Sequence, residues 1–296
     1  MRILINAGFC EPLLPELAFR LQPLCHGIRT GLAVNDEHPM IERLVRDALT
    51  YFDEAIFVIG GWDWRFGGKL EQRRGADLEP QKVHLANQCE SLIAEWGAQG
   101  GDTSKLWIEI GNELDGSYWK NSLDAFRRTA LTCYDRVRSL SDRVHFVTGS
   151  TMNLNKEPSW KRGGYEVLQE LCRLAWPMDT IQGLHPYRGG GRAWPSFASE
   201  DEALLELREV LRGRKLAVTE MGWASGTGHS DEAIAGMMRE EIAVWRDFGA
   251  VAFTAYQAQD DRVPRNVGEG GFGAFSNFED GLKEKPWADA VREARG

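Results

Sequence analysis

The amino-acid sequence predicts an α/β protein, a single-domain (β/α)8 TIM barrel over residues 1–296. Three observations carry that prediction. Short apolar, β-branched runs recur along the whole chain, and segments with helical spacing fall between them. The runs are continuous rather than alternating, as strands buried on both faces of a parallel sheet require. A chain this long would often form about two domains, but barrels of this class commonly run ~250 residues as one unit. The rival is an open doubly wound sheet. It would want a glycine fingerprint in the first strand-to-helix turn, and Ala7-Gly8-Phe9-Cys10 is not one.

The elements follow in order. The first strand is expected at 2–8 (RILINAG). The crossover after it, 11–26, is broken by Pro12, Pro15 and Pro23, so its helix should be short. A second strand at 27–32 (GIRTGL) leads to a helix over 39–53, which has Pro39 near its start and apolar residues at helical spacing. Strands at 55–61 (AIFVIGG) and 105–112 (KLWIEIGN) flank a helix over 80–98. Helices over 119–140 and 160–174 flank a strand at 144–149 (VHFVTG), and a sixth strand is expected at 179–185 (DTIQGLH). The next helix, 199–212, opens on Ser199-Glu200-Asp201-Glu202, a capping box in which Ser199 caps and Glu202 reaches back. A strand at 215–221 (KLAVTEM) precedes a helix over 230–248, whose start, Ser230-Asp231-Glu232, sets a cap and then acids that complement the helix dipole. The last strand, 250–257 (AVAFTAYQ), and a helix over 283–294 complete the pattern.

Composition excludes several classes. The net charge is -9, so no basic face is available for a phosphate backbone, and no nucleic-acid partner is expected. No run of about 18 apolar residues occurs, so no membrane span is expected. The five cysteines, Cys10, Cys25, Cys89, Cys133 and Cys172, are odd in number and widely spaced without a CxxC. A disulfide framework or thiolate zinc site is therefore not expected. Reduced thiols, and an opening that reads as strand rather than secretory signal, point to a cytoplasmic protein, or a secreted one if a leader was removed.

In such barrels the chemistry sits where the strands end. The fourth strand ends Asn112-Glu113 and the seventh Thr219-Glu220. A closed ring aims both glutamates at one mouth. Cleavage of a glycosidic bond needs such a pair: one carboxylic acid to protonate the leaving oxygen, one carboxylate to meet the developing oxocarbenium carbon. A lone strand-end glutamate is ordinarily a surface or ion-paired residue. The joint placement, with His185-Pro186-Tyr187 on the strand between, is what raises it above that reading.

Here the sequence resembles clan A of the glycoside hydrolases, the cellulase-like retaining barrels. The matching stretches are Trp107-Ile108-Glu109-Ile110-Gly111-Asn112-Glu113, His185-Pro186-Tyr187 and Thr219-Glu220. The tail matches too, in Phe272-Gly273-Ala274-Phe275, Asp280-Gly281 and Lys285-Pro286-Trp287. The resemblance implies a retaining glycosidase acting on a poly- or oligosaccharide without a cofactor or metal. It implies Glu113 as acid/base and Glu220 as nucleophile. Asn112 would bond the sugar 2-hydroxyl, Tyr187 would steady Glu220, and His185 would lie near the acid/base. Arg29, at the end of the second strand, would hold Glu220 ionised, and that anion would keep the proton on Glu113.

Trp62, Trp64 and Trp223 are candidate sugar platforms by position, with core packing of one of the first two an equal reading. Clan members carry Trp at the end of the eighth strand; this chain has Tyr256-Gln257, which bears on the identity of the bound sugar. Glu109 shares strand parity with Glu113 and reads as a structural ion-pair partner. Gly268-Glu269-Gly270-Gly271-Phe272-Gly273 fits a dinucleotide pattern by letter but lies past the last strand, so it reads as a loop. Two rivals remain. A carbohydrate-binding barrel without catalysis would keep its function in Glu220→Gln. A metal-dependent sugar isomerase or aldolase, with ligands among Glu109, Glu113, Glu220 and Asp260, would be stopped by a chelator.

Overall fold

The computed structural model describes residues 1–7, 13–33, 38–62, 81–115, 122–156, 163–188, 194, 196–225, 228–260, 271–276 and 280–296. Its strands are β1 (Arg2–Asn6), β2 (Gly27–Ala33), β3 (Ala55–Trp62), β4 (Leu106–Ile110), β5 (His145–Thr148), β6 (Ile181–Leu184), β7 (Lys215–Met221) and β8 (Ala252–Ala255). They close into a barrel in sequence order, and every neighbouring pair is parallel, β1 with β8 included. The helices are α1 (Pro15–Leu21), α2 (His38–Tyr51), α3 (Lys82–Ala98), α4 (Leu123–Leu140), α5 (Gly164–Arg173), α6 (Glu200–Leu211), α7 (Asp231–Phe248) and α8 (Trp287–Arg295).

Local chemistry explains the boundaries. α1 is only 7 residues long and begins at Pro15, as its proline-broken segment requires. Ser199 caps α6 by accepting from Glu202 N at 3.1 Å, while the Glu202 carboxylate reaches back one residue beyond the cap, to Ala198 N at 2.6 Å. Ser230 caps α7, and Gly249 ends it in the left-handed region at φ 94°. Five strands are shorter than their apolar runs: β1, β4, β5, β6 and β8 stop before 7, 111, 149, 185 and 256.

Apolar burial is divided. One cluster fills the space between the sheet and the helices. A second, smaller one, Leu4, Ile56, Trp107, Val147, Ile181, Ala217 and Ala252, packs inside the barrel. Below it Glu54 is buried, accepting from Trp107 Nε1 at 2.9 Å and pairing with Arg2. Cys25, Cys89, Cys133 and Cys172 are buried free thiols. No helix among the described residues is long and apolar enough to cross a membrane.

Candidate active site

Arg29 is the hub. It pairs in register with Ile56, a member of the inner layer, so its side chain enters the barrel. There it is fully buried. Its Nε donates to Glu109 Oε2 at 2.9 Å, Nη1 to Glu220 Oε2 at 2.8 Å and Nη2 to Asn112 Oδ1 at 3.0 Å. Burial alone would lower the Arg29 pKa, but Glu109 and Glu220 outweigh it and raise it. The guanidinium is thus a permanent charge shared by two carboxylates.

Glu109 pairs in register with Val147 of the inner layer and is likewise fully buried. Its second oxygen accepts from Thr219 Oγ1 at 3.1 Å. Thr219 and Glu220 are consecutive, and in a regular strand they would face opposite sides. The β7–β8 register shifts between Val218 and Met221. That irregularity lets both side chains reach the Arg29–Glu109 cluster, a use to which strand bulges near sites are often put.

β4 turns by a different device. Gly111 has φ 77° and Glu113 has φ 49°, both in the left-handed region. A Cβ on Gly111 would also meet Phe126 Cε2 at 2.9 Å, so the position suits glycine twice over. After this turn Asn112 faces Arg29 and Glu113 faces His185.

His185 lies between the two glutamates. Its Nδ1 is 3.4 Å from Glu113 Oε1 and its Nε2 is 3.8 Å from Glu220 Oε2. Burial pushes its pKa down to about 4, against the pull of Glu220, so the imidazole is neutral at ordinary pH. Tyr187 donates its hydroxyl to Glu220 Oε1 at 2.9 Å. Burial, then the Glu220 charge, raises the Tyr187 pKa well above the ordinary phenol value, so it stays a donor.

Ligand atoms of Glu113, His185 and Glu220 lie within 4.8 Å of one another, a spacing a metal ion can bridge. Arg29 already presents a positive charge to Glu220 and stands 3.4 Å from His185 Nε2, which opposes a second cation there. Of the other carboxylates weighed as metal ligands, Glu109 is held by Arg29 and Thr219. Asp260 lies apart, accepting from Lys285 Nζ at 2.7 Å and Gly273 N at 2.8 Å.

The remaining candidates divide. Tyr256 is partly exposed, with its ring 5.3 Å from that of Phe272. Trp223 is 7% exposed and packs in the core cluster. Trp62 ends β3, but its side chain, and the whole of Trp64, lie outside the described residues, as do Gly268, Glu269 and Gly270 of the glycine-rich stretch. Two residues went unread in the sequence. Asp115 is buried beside Glu113, accepts from Met152 N at 2.7 Å through one oxygen, and has no partner for the other among the described residues. Phe272 touches both Tyr187 and Tyr256. An acid two residues past Glu113 was a visible signal for the first; the second was visible only as part of the tail stretch that resembles the clan, with nothing to give its side chain a place at the site.

Fold and site together define a closed parallel barrel with two carboxylates, an imidazole and a buried guanidinium converging at its mouth. No family model and no curated protein matches the sequence. Solved structures do. The chain is similar to a family 39 glycoside hydrolase from the gut symbiont Bacteroides cellulosilyticus WH2, with TM-score 0.69 and 16% identity over 99% of this chain and 63% of that one. It thus spans less than two thirds of that chain's length. It is also similar to a GH5_18 from Streptomyces cattleya in complex with GlcNAc (TM-score 0.69, 13% identity, 99% of this chain, 79% of that one). A third likeness is to PbGH5A, a glycoside hydrolase family 5 enzyme from Prevotella bryantii B14 (TM-score 0.64, 15% identity, 95% and 86%). At such identities the likeness is one of fold.

Proposed function

We propose that this chain is a retaining glycoside hydrolase that cleaves O-glycosidic bonds of a poly- or oligosaccharide. The observation that carries the reading is the spacing of Glu113 and Glu220, whose carboxylate oxygens approach within 4.8 Å around His185. Retaining enzymes hold their two carboxyl groups about 5–5.5 Å apart, whereas inverting ones leave roughly 6.5–9.5 Å for a water. The names borne by the similar structures support the same reading.

In this mechanism Glu220 attacks the anomeric carbon, and Glu113 gives its proton to the departing oxygen. Water, losing a proton to Glu113, then displaces Glu220 from the covalent glycosyl-enzyme. Arg29 and Tyr187 bond one Glu220 oxygen each, which fixes the carboxylate for attack and stabilises it again on release. Asn112, oriented by Arg29 through its carbonyl oxygen, keeps its amide N–H groups for the sugar.

The test is reducing-sugar or aryl release from a panel of polysaccharides, oligosaccharides and 4-nitrophenyl glycosides, wild type beside Glu220→Gln, with the product anomer read by NMR. Cleavage with retention that collapses in the variant is expected. Full activity in Glu220→Gln, inversion, or loss of activity on adding a chelator would overturn the reading.

A further inference from the structure

Phe272 belongs to the segment set aside in the sequence as a loop, yet its neighbours on either side are firmly held. The Gly271 carbonyl accepts from Ser225 N at 3.0 Å, Ser225 Oγ at 3.0 Å and Lys285 Nζ at 3.1 Å. Lys285 Nζ also donates to Asp260 Oδ1 at 2.7 Å and Ser225 Oγ at 2.9 Å, and it is only 10% exposed. Gly273 N donates to Asp260 Oδ1 at 2.8 Å, and the Gly273 carbonyl accepts from Trp287 Nε1 at 3.1 Å. The Phe272 carbonyl accepts from Gln257 N at 3.1 Å, tying it to the end of β8. Residues just past β7, just past β8 and at the start of α8 thus hold the backbone on both sides of one side chain.

That side chain is partly exposed and stands one ring away from the nucleophile candidate. It meets Tyr256 edge to face at 5.3 Å and 69°, and Tyr187 at 6.4 Å and 78°, while Tyr187 touches Glu220. Gly222, two residues past Glu220, makes the approach possible: a Cβ there would lie 2.1 Å from the Tyr256 carbonyl oxygen and 3.3 Å from Phe272 Cδ1. An ordered aromatic ring left partly exposed beside convergent polar groups is how a protein grips the apolar face of a small polar ligand.

We infer that Phe272 is a specificity-determining residue, forming with Tyr256 a two-ring wall for the sugar beside Glu220, and that Lys285 is the positioning residue that holds it. The wall favours pyranosides with equatorial hydroxyls, whose axial C–H groups make an apolar face; an axial hydroxyl breaks that face. This rests only on the sugar-binding half of the function proposed above.

The test is binding of methyl β-D-glucopyranoside, methyl β-D-xylopyranoside and methyl β-D-galactopyranoside to the full chain, followed by saturation-transfer NMR and titration. Glucoside and xyloside are expected to bind more tightly than galactoside. Phe272→Ala should weaken both by about five- to tenfold and erase the preference, with the melting temperature kept. Phe272→Leu should fall between, Phe272→Tyr within about twofold of wild type, and Lys285→Met should copy Phe272→Ala in part. Unchanged affinities in Phe272→Ala and Phe272→Leu, or no sugar binding by the wild type, would overturn the inference. Binding that depends on Phe272 in a chain that hydrolyses nothing keeps the wall and sinks the glycosidase. Hydrolysis indifferent to Phe272 does the reverse.

Discussion

Arg29 Nε stands 2.9 Å from Glu109 Oε2 with neither side chain exposed to solvent, so the guanidinium that grips Glu220 is itself gripped from β4. Removing one member of a buried ion pair leaves an uncompensated charge. Glu109→Ala should therefore cost about 3–5 kcal/mol of stability, read as a lower midpoint of urea unfolding. A loss below about 1 kcal/mol would mean that Glu220 and Asn112 alone satisfy Arg29.

Tyr187→Phe removes the hydroxyl that donates to Glu220 Oε1 and leaves the ring against Phe272. A hydrogen bond to a charged group is worth about 1.5–3 kcal/mol, so kcat/KM should fall roughly 10- to 100-fold with the fold unchanged. Steady-state kinetics beside a melting curve checks it; equal activity would remove Tyr187 from the site.

Glu113→Ala should cost about 10²- to 10⁴-fold on substrates with poor leaving groups. It should cost far less on 2,4-dinitrophenyl glycosides, whose leaving oxygen needs no proton. Equal losses on both would mean that Glu113 does not act as the acid.

Asp115 sets a pH dependence of stability. Burial, joined by the neighbouring Glu113 charge, pushes its carboxyl up from 3.8 to about 7, against the pull of the Met152 amide. The folded chain then binds a proton that the unfolded chain has released, so this contribution is present below about pH 4 and is lost as pH rises toward 7. Asp115→Asn keeps the acceptor for Met152 and cannot ionise. At pH 8 it should exceed the wild type in stability by up to about 4 kcal/mol, with the gain shrinking toward pH 4; thermal melts across that range test it. A constant difference would mean that Asp115 ionises in the fold as readily as in water.

The barrel was legible because burial on both faces leaves strands as continuous apolar runs, and because Ser199 and Ser230 announce their helices. Strand-end glutamates were legible for a topological reason: a closed ring brings residues 113 and 220 to one mouth whatever lies between. Glu109 could be read by parity as far as its inward direction, but not its partners, since Arg29 and Thr219 come from other strands. The β7 irregularity that turns both Thr219 and Glu220 inward has no local signature in VTEM. Trp223, a platform candidate by position, is 7% exposed and packs in the core cluster, and its sequence could not say how much of its indole faces the core, because indole area is as useful to a core as to a sugar. Phe272 entered only as part of a tail stretch that resembles the clan, since the contacts from Ser225, Gln257, Lys285 and Trp287 that bring its segment back to the mouth come from distant parts of the chain.

The left-handed backbone of Glu113, φ 49°, has an evolutionary edge to it. An L side chain there costs about 1–2 kcal/mol that glycine would not incur. Selection for heat resistance alone would therefore drift toward Glu113→Gly, and under the role proposed for Glu113 the hardiest descendants would be inert. Durability and turnover are set against each other at this one codon, so a library bred for robustness needs a catalytic filter in every round.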